Sequence, residues 1–298
     1  MSFIYKAMIV VRLRSGLGNQ MFQYAFFTQM QHWYGKENVK LDMDTYHWKV
    51  HHGRELDKVF NINLDEDAIP VSISLKMADV GYSLKNRILR RLRGKKHACY
   101  VFWKDLSYDD YKRLPDDVYL EGYWNEERYF DAVSEHIRSI YKFPEPTDHQ
   151  NKSCLENITN SCSVGIHVRR GDYKNYPKTL PMCSVSYYSE AVELLKAKNQ
   201  KQQLRFFVFS DDLDWCKANL SFLENVQFVG HNVKNNSYKD MMLLSACKHQ
   251  IMANSTFSWW AAWLNPNPDK LVIYPSSVSK TYATMPSQWV CAGEAMDK

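Results

Sequence analysis

The chain has 298 residues, of which 45% are hydrophobic and 24% are charged, and this composition is typical of a globular protein and gives no sign of disorder. The net charge of +5 is modest and no RNA- or DNA-binding motif accompanies it, so we expect no nucleic-acid partner. Seven cysteines without CxxC spacing argue against a disulfide framework and against a zinc site. We therefore expect mainly buried, reduced thiols.

Two segments bear on membranes. The apolar run at residues 7–11 is too short to span a bilayer and lacks the cleavage site of a signal peptide, so we expect a cytoplasmic protein. Residues 85–96 hold seven cations with apolar residues at helical spacing between them, which predicts a basic amphipathic helix. Two interpretations of this helix stay open: a solvated surface helix, or peripheral contact with an anionic membrane at its inner face.

Strands and helices alternate in both halves of the sequence, which predicts parallel sheets with right-handed crossovers. A polar run from residue 148 to residue 161 follows a Pro-containing break and predicts an interdomain linker, so we place the domains at 1–150, with helical insertions, and at 151–298. The predicted strands are 7–13, 39–43, 118–124, 163–168, 204–209, 226–229, 249–253 and 271–274, and the predicted helices are 21–34, 126–141, 184–199, 212–219, 237–247 and 256–264.

The first strand is followed by a glycine turn. Gly16 and Gly18 allow a tight turn and a close approach, and Asn19 and Gln20 bring polar groups to the start of the following helix. The third glycine of a dinucleotide fingerprint is missing, so NAD is not indicated. A plain strand-to-helix turn remains the alternative.

Polar residues follow the strands of the second half, and ligands of open α/β sheets bind at the carboxyl ends of the strands. Arg169 and Arg170 end one of these strands, and guanidinium groups suit phosphate because each offers parallel donors. Four such polar ends on one edge predict a site of nucleotide size. An ordinary surface ion pair is the alternative.

Three blocks occur together: Gly-Leu-Gly-Asn-Gln at 16–20, His-Val-Arg-Arg-Gly-Asp-Tyr at 167–173, and the pair of segments 237–247 and 254–260. In this combination the sequence resembles the bacterial α-1,2-fucosyltransferases, glycosyltransferase family 11. The resemblance covers nearly the whole chain except residues 56–114. It implies an α/β fold of GT-B architecture, in which two Rossmann-like domains face each other across a cleft.

The resemblance also implies an activity. It is the inverting transfer of L-fucose from GDP-β-L-fucose to the 2-hydroxyl of a terminal galactoside, giving an α-1,2 linkage without a metal or other cofactor. The implied partners are GDP-fucose and a glycan acceptor that ends in a β-galactoside. Two alternatives stay open: a fucosyltransferase with a 6-linked or protein O-linked product, and a non-catalytic protein that binds a nucleotide sugar or a glycan.

The family's donor-binding residues correspond to seven positions of this chain. By the resemblance, Arg169 holds the β-phosphate with help from Arg170, and Asp240 binds guanine. The residues that face the nucleoside or wrap the pyrophosphate are His167, Ser255, Thr256 and Phe257. Chemistry supports the base contact, because a carboxylate accepts hydrogen bonds from both N–H groups on the guanine edge, a pairing that adenine does not offer.

The remaining implied residues are catalytic or acceptor-side. By the resemblance, Asn19 reaches the reaction centre from the amino-terminal domain, beside Gly16, Gly18 and Gln20. Asp172 is an option for the general base, although the departing phosphate is an alternative acceptor for the proton.

The geometry of a strand distinguishes the two arginines. Side chains alternate along a strand, so His167 and Arg169 share a face while Arg170 points the other way. We therefore expect Arg169 to contact phosphate directly and Arg170 to bond Asp172.

Overall fold

The computed structural model describes residues 8–43, 53–64, 100–114, 118–175, 181–277 and 284–293. The basic segment 85–96, for which a membrane contact was one prediction, lies outside these residues. By its internal contacts the chain divides into two compact units, Met1–Ile140 and Tyr141–Lys298. Within the described residues, both units are built on parallel sheets, so the predicted α/β class is confirmed.

The amino-terminal unit contains, among its described residues, a four-stranded sheet with strand order β2-β1-β4-β3. All three strand pairs are parallel. The elements of this unit are β1 Ile9–Arg12, α1 Leu17–Tyr34, β2 Val39–Asp42, α2 Leu56–Phe60, β3 Tyr100–Phe102, β4 Val118–Glu121 and α3 Ser134–Ile140, with 3₁₀ segments at Lys36–Asn38, Trp103–Asp105, Asp109–Arg113 and Glu127–Val133.

The carboxyl-terminal unit contains, in its described part, a six-stranded parallel sheet with strand order β10-β9-β8-β5-β6-β7. Its predicted strands and helices match the observed ones to within two residues at each end. The elements are α4 His149–Thr159, β5 Cys162–Val168, α5 Val185–Lys198, β6 Leu204–Ser210, α6 Leu213–Asn219, β7 Val226–Val229, α7 Tyr238–Ala246, β8 His249–Ile251, α8 Thr256–Leu264, β9 Val272–Pro275 and β10 Val290–Ala292, with 3₁₀ segments at Asp172–Asn175 and Lys234–Asn236.

The predicted linker at 148–161 is wrong for most of its length, because His149–Thr159 is the helix α4. The Asp148 carboxylate caps this helix by accepting a hydrogen bond from the backbone N–H of Asn151. The buried residues of α4 are Asn151, Cys154 and Ile158, and their spacing places them on one face. Only two of these three are apolar, so the sequence carries little of the usual helical signal.

Two helix boundaries in the amino-terminal unit also differ from the predictions. Helix α1 begins at Leu17 rather than at residue 21, with Gly16 as its N-cap, so Asn19 and Gln20 lie in its first turn. The predicted helix 126–141 is a 3₁₀ segment followed by α3. The 3₁₀ segment is itself interrupted at Phe130, which leaves helical geometry at φ −145° and ψ 22°.

The core of the carboxyl-terminal unit forms around β5, which has neighbouring strands on both sides and is buried from Ser163 to Val168. Gly165 allows α7 to pack closely on this strand, because a Cβ atom there would lie 2.5 Å from Cδ1 of Leu244. Helix α8 has buried side chains around most of its surface, as expected for a helix inside a core. These contacts fix α7 and α8 on the central strand.

Six of the seven cysteines lie in the described part of the chain, and all six are free thiols. Four of them are buried: Cys154, Cys183, Cys216 and Cys247. Burial raises the pKa of the Cys183 and Cys216 thiols to about 11, so both are protonated and unreactive at neutral pH. The expectation of reduced and mainly buried thiols is confirmed for these residues.

Candidate active site

Polar residues follow four adjacent strands at one edge of the carboxyl-terminal sheet, as the sequence predicts. The strands lie in the order β8-β5-β6-β7, and their parallel register pairs His167 with Phe209 and Phe209 with Val229. The carboxyl ends of parallel strands meet at one edge, so the residues that follow them come together. These residues are Arg169 and Arg170, Asp211 and Asp212, His231 and Asn232, and Asn254 and Ser255.

Arg169 lies between two carboxylates. Its Nη2 atom is 2.8 Å from Oδ1 of Asp172, and its Nη1 atom is 2.9 Å from Oδ2 of Asp211. The side chain is 32% exposed, so part of the guanidinium faces solvent. Two ion pairs from different segments therefore fix the direction of a guanidinium group that a ligand can still reach.

Arg170 points to the other side of the strand end. Its guanidinium carbon lies 3.9 Å from the centre of the Trp215 ring, and its Nε atom is 3.4 Å from Oδ2 of Asp212. The prediction that Arg170 bonds Asp172 is wrong. Alternation directs Arg170 toward α6, whereas Asp172, three residues after Arg169, turns back to Arg169.

Asp212 has a second cationic partner. Lys174 Nζ lies 2.7 Å from Oδ2 of Asp212, and this hydrogen bond, with smaller contributions from Trp215 N–H and Arg170, holds the pKa of the Asp212 carboxyl below its usual value. Asp212 also caps α6 by accepting the Trp215 backbone N–H. Asp212 is therefore ionised at neutral pH and anchors both Arg170 and Lys174.

Asp211 contacts both arginines. The sequence marks it only as one of the polar residues that follow a strand. Its Oδ1 atom accepts the backbone N–H of Arg170 at 2.9 Å, while Oδ2 pairs with Arg169. This approach requires glycine at position 171, since a Cβ atom there would lie 2.7 Å from Oδ2 of Asp211. In the sequence, this contact is marked only by a glycine that directly follows two arginines. The residue that it accommodates, Asp211, lies 40 residues further along the chain.

The charges in this cluster balance. The cations are Arg169, Arg170 and Lys174, and the carboxylates are Asp172, Asp211 and Asp212. An anionic ligand therefore gains little from net charge here. Its binding depends instead on hydrogen-bond donors that the ion pairs hold in fixed positions. Donors fixed in this way also stabilise negative charge that develops during a reaction.

His167 is 6% exposed, and its ring lies 5.1 Å from the ring of Phe257. Burial lowers the pKa of His167 to about 3, with a further contribution from Arg169 and a smaller opposing one from Asp211. The imidazole is therefore neutral at physiological pH and has no proton to give as a general acid. Its buried Nδ1 atom makes no hydrogen bond to any residue that the structure describes.

The start of α8 lies at the same edge. Ser255 caps this helix, and its Oγ atom accepts the backbone N–H of Phe257 at 3.3 Å. The hydroxyl of Tyr173 donates to the carbonyl oxygen of Asn254 at 2.7 Å, which ties the segment after β5 to the start of α8. Thr256 and Phe257 are partly exposed there. The site therefore includes a helix amino terminus, which favours anions.

Asp240 lies in the first turn of α7 and is partly buried. Its Oδ1 atom accepts a hydrogen bond from Nδ2 of Asn232 at 2.8 Å. Burial raises the pKa of the Asp240 carboxyl to about 7, against the opposing effect of that hydrogen bond. A carboxylate with this pKa changes its charge and its hydrogen-bonding character near neutral pH.

In the amino-terminal unit, Gln20 is a structural residue. It is fully buried, and its Nε2 atom donates to the carbonyl oxygens of Ser15 at 2.7 Å and Gly53 at 2.9 Å. Its Oε1 atom accepts the backbone N–H groups of Glu55 and Leu56. The amide has no remaining donor, so Gln20 positions the backbone of this segment. A direct contact between Gln20 and an acceptor is thus disfavoured.

The rest of the glycine turn differs from its predicted form. The left-handed residue is Ser15, with φ 71°, whereas Gly16 is extended at φ −77° and ψ 171°. Asn19 is partly exposed, and its side chain makes no hydrogen bond within the described residues. Gly18 is buried within α1. The acceptor-side roles of Gly16 and Gly18 and the catalytic role of Asn19 stay predictions.

A buried ion cluster lies at the carboxyl edge of the amino-terminal sheet. Glu121 is 3% exposed, and its two oxygens lie 2.9 Å from Nη1 of Arg12 and 2.6 Å from Nη1 of Arg14. Arg14 also donates to the hydroxyl of Tyr123 at 3.1 Å. This cluster was not predicted from the sequence. The sequence does mark it, because each of two apolar strands ends in a charged residue.

Comparison with known proteins decides the family. The family model described as Glycosyl transferase family 11 matches residues 4–290. This chain belongs to glycosyl transferase family 11. The family resemblance of the three sequence blocks is confirmed.

Two relatives and one solved structure are similar to this family 11 glycosyltransferase. An alpha-1,2-colitosyltransferase of Escherichia coli is 31% identical, covering 95% of this chain and 98% of its own. Galactoside alpha-(1,2)-fucosyltransferase 1 of Leontocebus fuscicollis is 30% identical over 54% of this chain and 48% of its own. The fucosyltransferase NodZ from Bradyrhizobium has a TM-score of 0.54 and 13% identity over 88% of this chain and 93% of its own. This likeness bears on the fold, and the expected GT-B class is confirmed.

Two further properties of this glycosyltransferase concern metals and membranes. Groups of three or more histidine, cysteine, aspartate or glutamate residues with metal-binding geometry do not occur in the described parts of the chain. Independence from metal stays a prediction. In those same parts, no helix combines the length and the apolar character needed to cross a membrane.

Proposed function

We propose that this family 11 glycosyltransferase transfers L-fucose from GDP-β-L-fucose to the 2-hydroxyl of a terminal galactoside. The transfer inverts the anomeric centre and gives an α-1,2 linkage. One observation carries the proposal: Arg169 is partly exposed at the end of β5 and is held there by Asp172 and Asp211. A guanidinium group fixed in this way suits the β-phosphate of a nucleotide sugar.

Guanine recognition rests on Asp240. One of its oxygens accepts from Asn232, and the other makes no hydrogen bond within the described residues. The ionised carboxylate can accept the ring N–H and the exocyclic amine of guanine. The neutral His167 and the start of α8 at Ser255 would contact the rest of the donor, with Thr256 and Phe257 beside them. The NodZ structure that was soaked with GDP-fucose agrees with this donor class.

The chemical step can be balanced with the residues of this chain. The bond between the fucose anomeric carbon and the β-phosphate oxygen breaks, and its electron pair goes to the phosphate. The acceptor 2-hydroxyl oxygen bonds to the anomeric carbon from the opposite face. Negative charge grows on the departing phosphate, where Arg169 would stabilise it, and Arg170 would support the position of Arg169 through Asp211.

The acceptor proton has two destinations in this scheme, the departing phosphate or a carboxylate. Asp172 is the candidate carboxylate, because it lies 2.8 Å from Arg169 and its side chain is 40% exposed. Its pairing with Arg169 fits a positioning role equally well.

Asn19 is proposed to act on the acceptor, because its side-chain amide makes no hydrogen bond within the described residues.

A second donor sugar has specific support. The colitosyltransferase relative, which covers 95% of this chain, is named for colitose, which is fucose without its 3-hydroxyl group. The contacts proposed for guanine and phosphate would serve a colitose donor equally, because they lie away from that hydroxyl. The α-1,2 linkage is common to the names of both relatives.

The experiment is a donor panel with a β-galactoside acceptor in buffer that contains EDTA. We expect turnover of GDP-fucose, with GDP-colitose as the comparison donor, and no turnover of ADP or UDP sugars. A strict requirement for added divalent metal would contradict the arginine-based account. Binding of GDP without turnover on a broad galactoside panel would favour the non-catalytic alternative.

A further inference from the structure

Four side chains beside the proposed base site form a continuous hydrogen-bonded chain, which we call the amide relay: Asp148, Asn151, Asn232 and Asp240. Nδ2 of Asn151 donates to Oδ1 and Oδ2 of Asp148 at 2.9 and 3.0 Å, and to Oδ1 of Asn232 at 2.8 Å. Nδ2 of Asn232 donates to Oδ1 of Asn151 at 2.8 Å and to Oδ1 of Asp240 at 2.8 Å. The relay joins α4, the segment after β7 and α7.

Asp148 sets the direction of every hydrogen bond in the relay. The backbone N–H of Asn151 and the ammonium group of Lys239 hold the pKa of the Asp148 carboxyl well below its usual value. An ionised carboxylate can only accept, so Asn151 must turn its NH₂ group toward Asp148. Asn232 must then offer its oxygen to the Asn151 NH₂ group, which directs its own NH₂ group to Asp240.

The two amides are fully occupied. Asn151 is 1% exposed and Asn232 is 8% exposed, so neither faces solvent appreciably. The oxygen of Asn151 accepts from Asn232 and from Nε2 of His231, the latter at 3.0 Å. Both N–H groups of each amide are used within the relay. Neither amide therefore has a donor to spare for a ligand, and the relay meets the proposed base site at Asp240.

We propose that the amide relay is a positioning device that gives the donor site its selectivity for guanine. This inference rests on the proposed function, in which Asp240 binds the base. Asn232 makes Oδ1 of Asp240 a fixed acceptor and holds the rotamer of the carboxylate, so that Oδ2 and the second lone pair of Oδ1 face the ligand. Guanine offers two adjacent N–H donors to these acceptors, whereas adenine offers one donor beside an acceptor.

The relay makes the contact selective because it fixes both the position and the hydrogen-bonding character of the carboxylate. A carboxylate that can rotate would meet the ring N–H with one oxygen and leave the exocyclic amine unpaired. The contact with the exocyclic amine is thus the part of recognition that depends on Asn232. Inosine diphosphate, which lacks this amine, reports on that contact alone.

The test measures the affinity of the purified protein for GDP, inosine diphosphate and ADP by isothermal titration calorimetry. In the wild-type protein we expect GDP to bind about tenfold or more tightly than inosine diphosphate, as a hydrogen bond to a charged group predicts. Asn232→Leu should bring the two affinities to within about twofold while ADP binding stays the same. Asn219→Leu, which alters an amide at the end of α6, should keep the wild-type ratio.

Asp148→Asn is the second variant, because asparagine still caps α4 and keeps the fold, while its NH₂ group no longer fixes the direction of the amides. It should also lower the ratio of GDP to inosine diphosphate affinity. If both folded variants keep the wild-type ratio, the relay is not a selectivity device. If the wild-type protein itself binds GDP no better than ADP, the proposed guanine donor is wrong, and this outcome is distinct from failure of the relay alone.

Discussion

The Asp211 carboxylate lies 2.9 Å from Nη1 of Arg169, although the two residues follow different strands of the sheet. The other oxygen of Asp211 accepts the backbone N–H of Arg170, so one side chain fixes both the strand end and its arginine. Arg169 thereby offers its exposed part to a ligand in one direction.

Arg169→Lys should lower kcat by about 10²–10³-fold while GDP still binds measurably. A lysine carries one point charge and cannot reach both Asp172 and Asp211 while meeting a phosphate. Steady-state kinetics measure kcat, and isothermal titration calorimetry measures the affinity for GDP. Arg205→Lys is the matched control, because Arg205 bonds Asn157 away from this cluster and its substitution should leave turnover unchanged. Near-normal turnover of Arg169→Lys would remove this residue from the mechanism.

Gly171→Ala should reduce kcat by about tenfold to 10²-fold with little loss of folded protein, because the new Cβ atom displaces Asp211 and with it Arg169. Asp211→Asn should reproduce the loss without the steric change, since it removes the charge that pairs with Arg169. Asp214→Asn, an exposed carboxylate on α6, serves as the control. Wild-type kcat in both test variants would mean that the position of Arg169 does not depend on Asp211.

The affinity for the GDP donor should fall as the pH drops below about 7. In the proposed function Asp240 binds guanine as a carboxylate, and its raised pKa of about 7 means that it becomes protonated below that pH. KM for the donor should rise up to about tenfold for each further pH unit.

The neighbouring groups do not produce this pH profile. Asp148 stays ionised because its pKa is lowered by the Asn151 backbone N–H, and burial lowers the pKa of His231 below its usual value and so further from 7. The cationic Lys239 is paired with Asp148. Asp240→Asn should weaken donor binding at and above about pH 7, where the wild-type carboxyl is ionised, and flatten the profile. A profile of KM against pH that is the same in Asp240→Asn and the wild type would contradict the assignment.

Gln20 and Asn19 are neighbours in the first turn of α1, and we predict opposite effects for them. Gln20→Leu removes the hydrogen bonds that the Gln20 amide makes to two backbone carbonyls and two backbone N–H groups, which should cost about 2–4 kcal/mol of unfolding free energy. Asn19→Ala should leave the unfolding temperature unchanged and lower kcat instead. Thermal unfolding measures the stability of each variant, and steady-state kinetics measure its kcat. A loss of stability in Asn19→Ala but not in Gln20→Leu would contradict the structural role of Gln20.

The central strand and its arginines could be predicted because their signals are local. An apolar run ending in Arg169 and Arg170 marks β5, and helix-period patterns mark α7 and α8. Alternation along the strand also separates the two arginines correctly into an exposed one and a packed one. These features depend on residues that are neighbours in the sequence.

The partners of those arginines could not be predicted, because they come from distant segments. Asp211 reaches Arg170 across 41 residues, and Asn151 reaches Asn232 across 81 residues. The sequence predicts a linker where α4 lies because part of the buried face of this helix is an amide rather than an apolar side chain. The same amide, Asn151, belongs to the relay beside the proposed base site.

The structure of the product tests the central claim most directly. Wild-type protein, GDP-β-L-fucose and a β-galactoside acceptor in EDTA should give one product, whose linkage and anomeric configuration are read by NMR. We predict an α-L-fucosyl residue on the 2-hydroxyl of galactose. A β-linked product, or fucose on another hydroxyl such as that at carbon 6, would contradict the account.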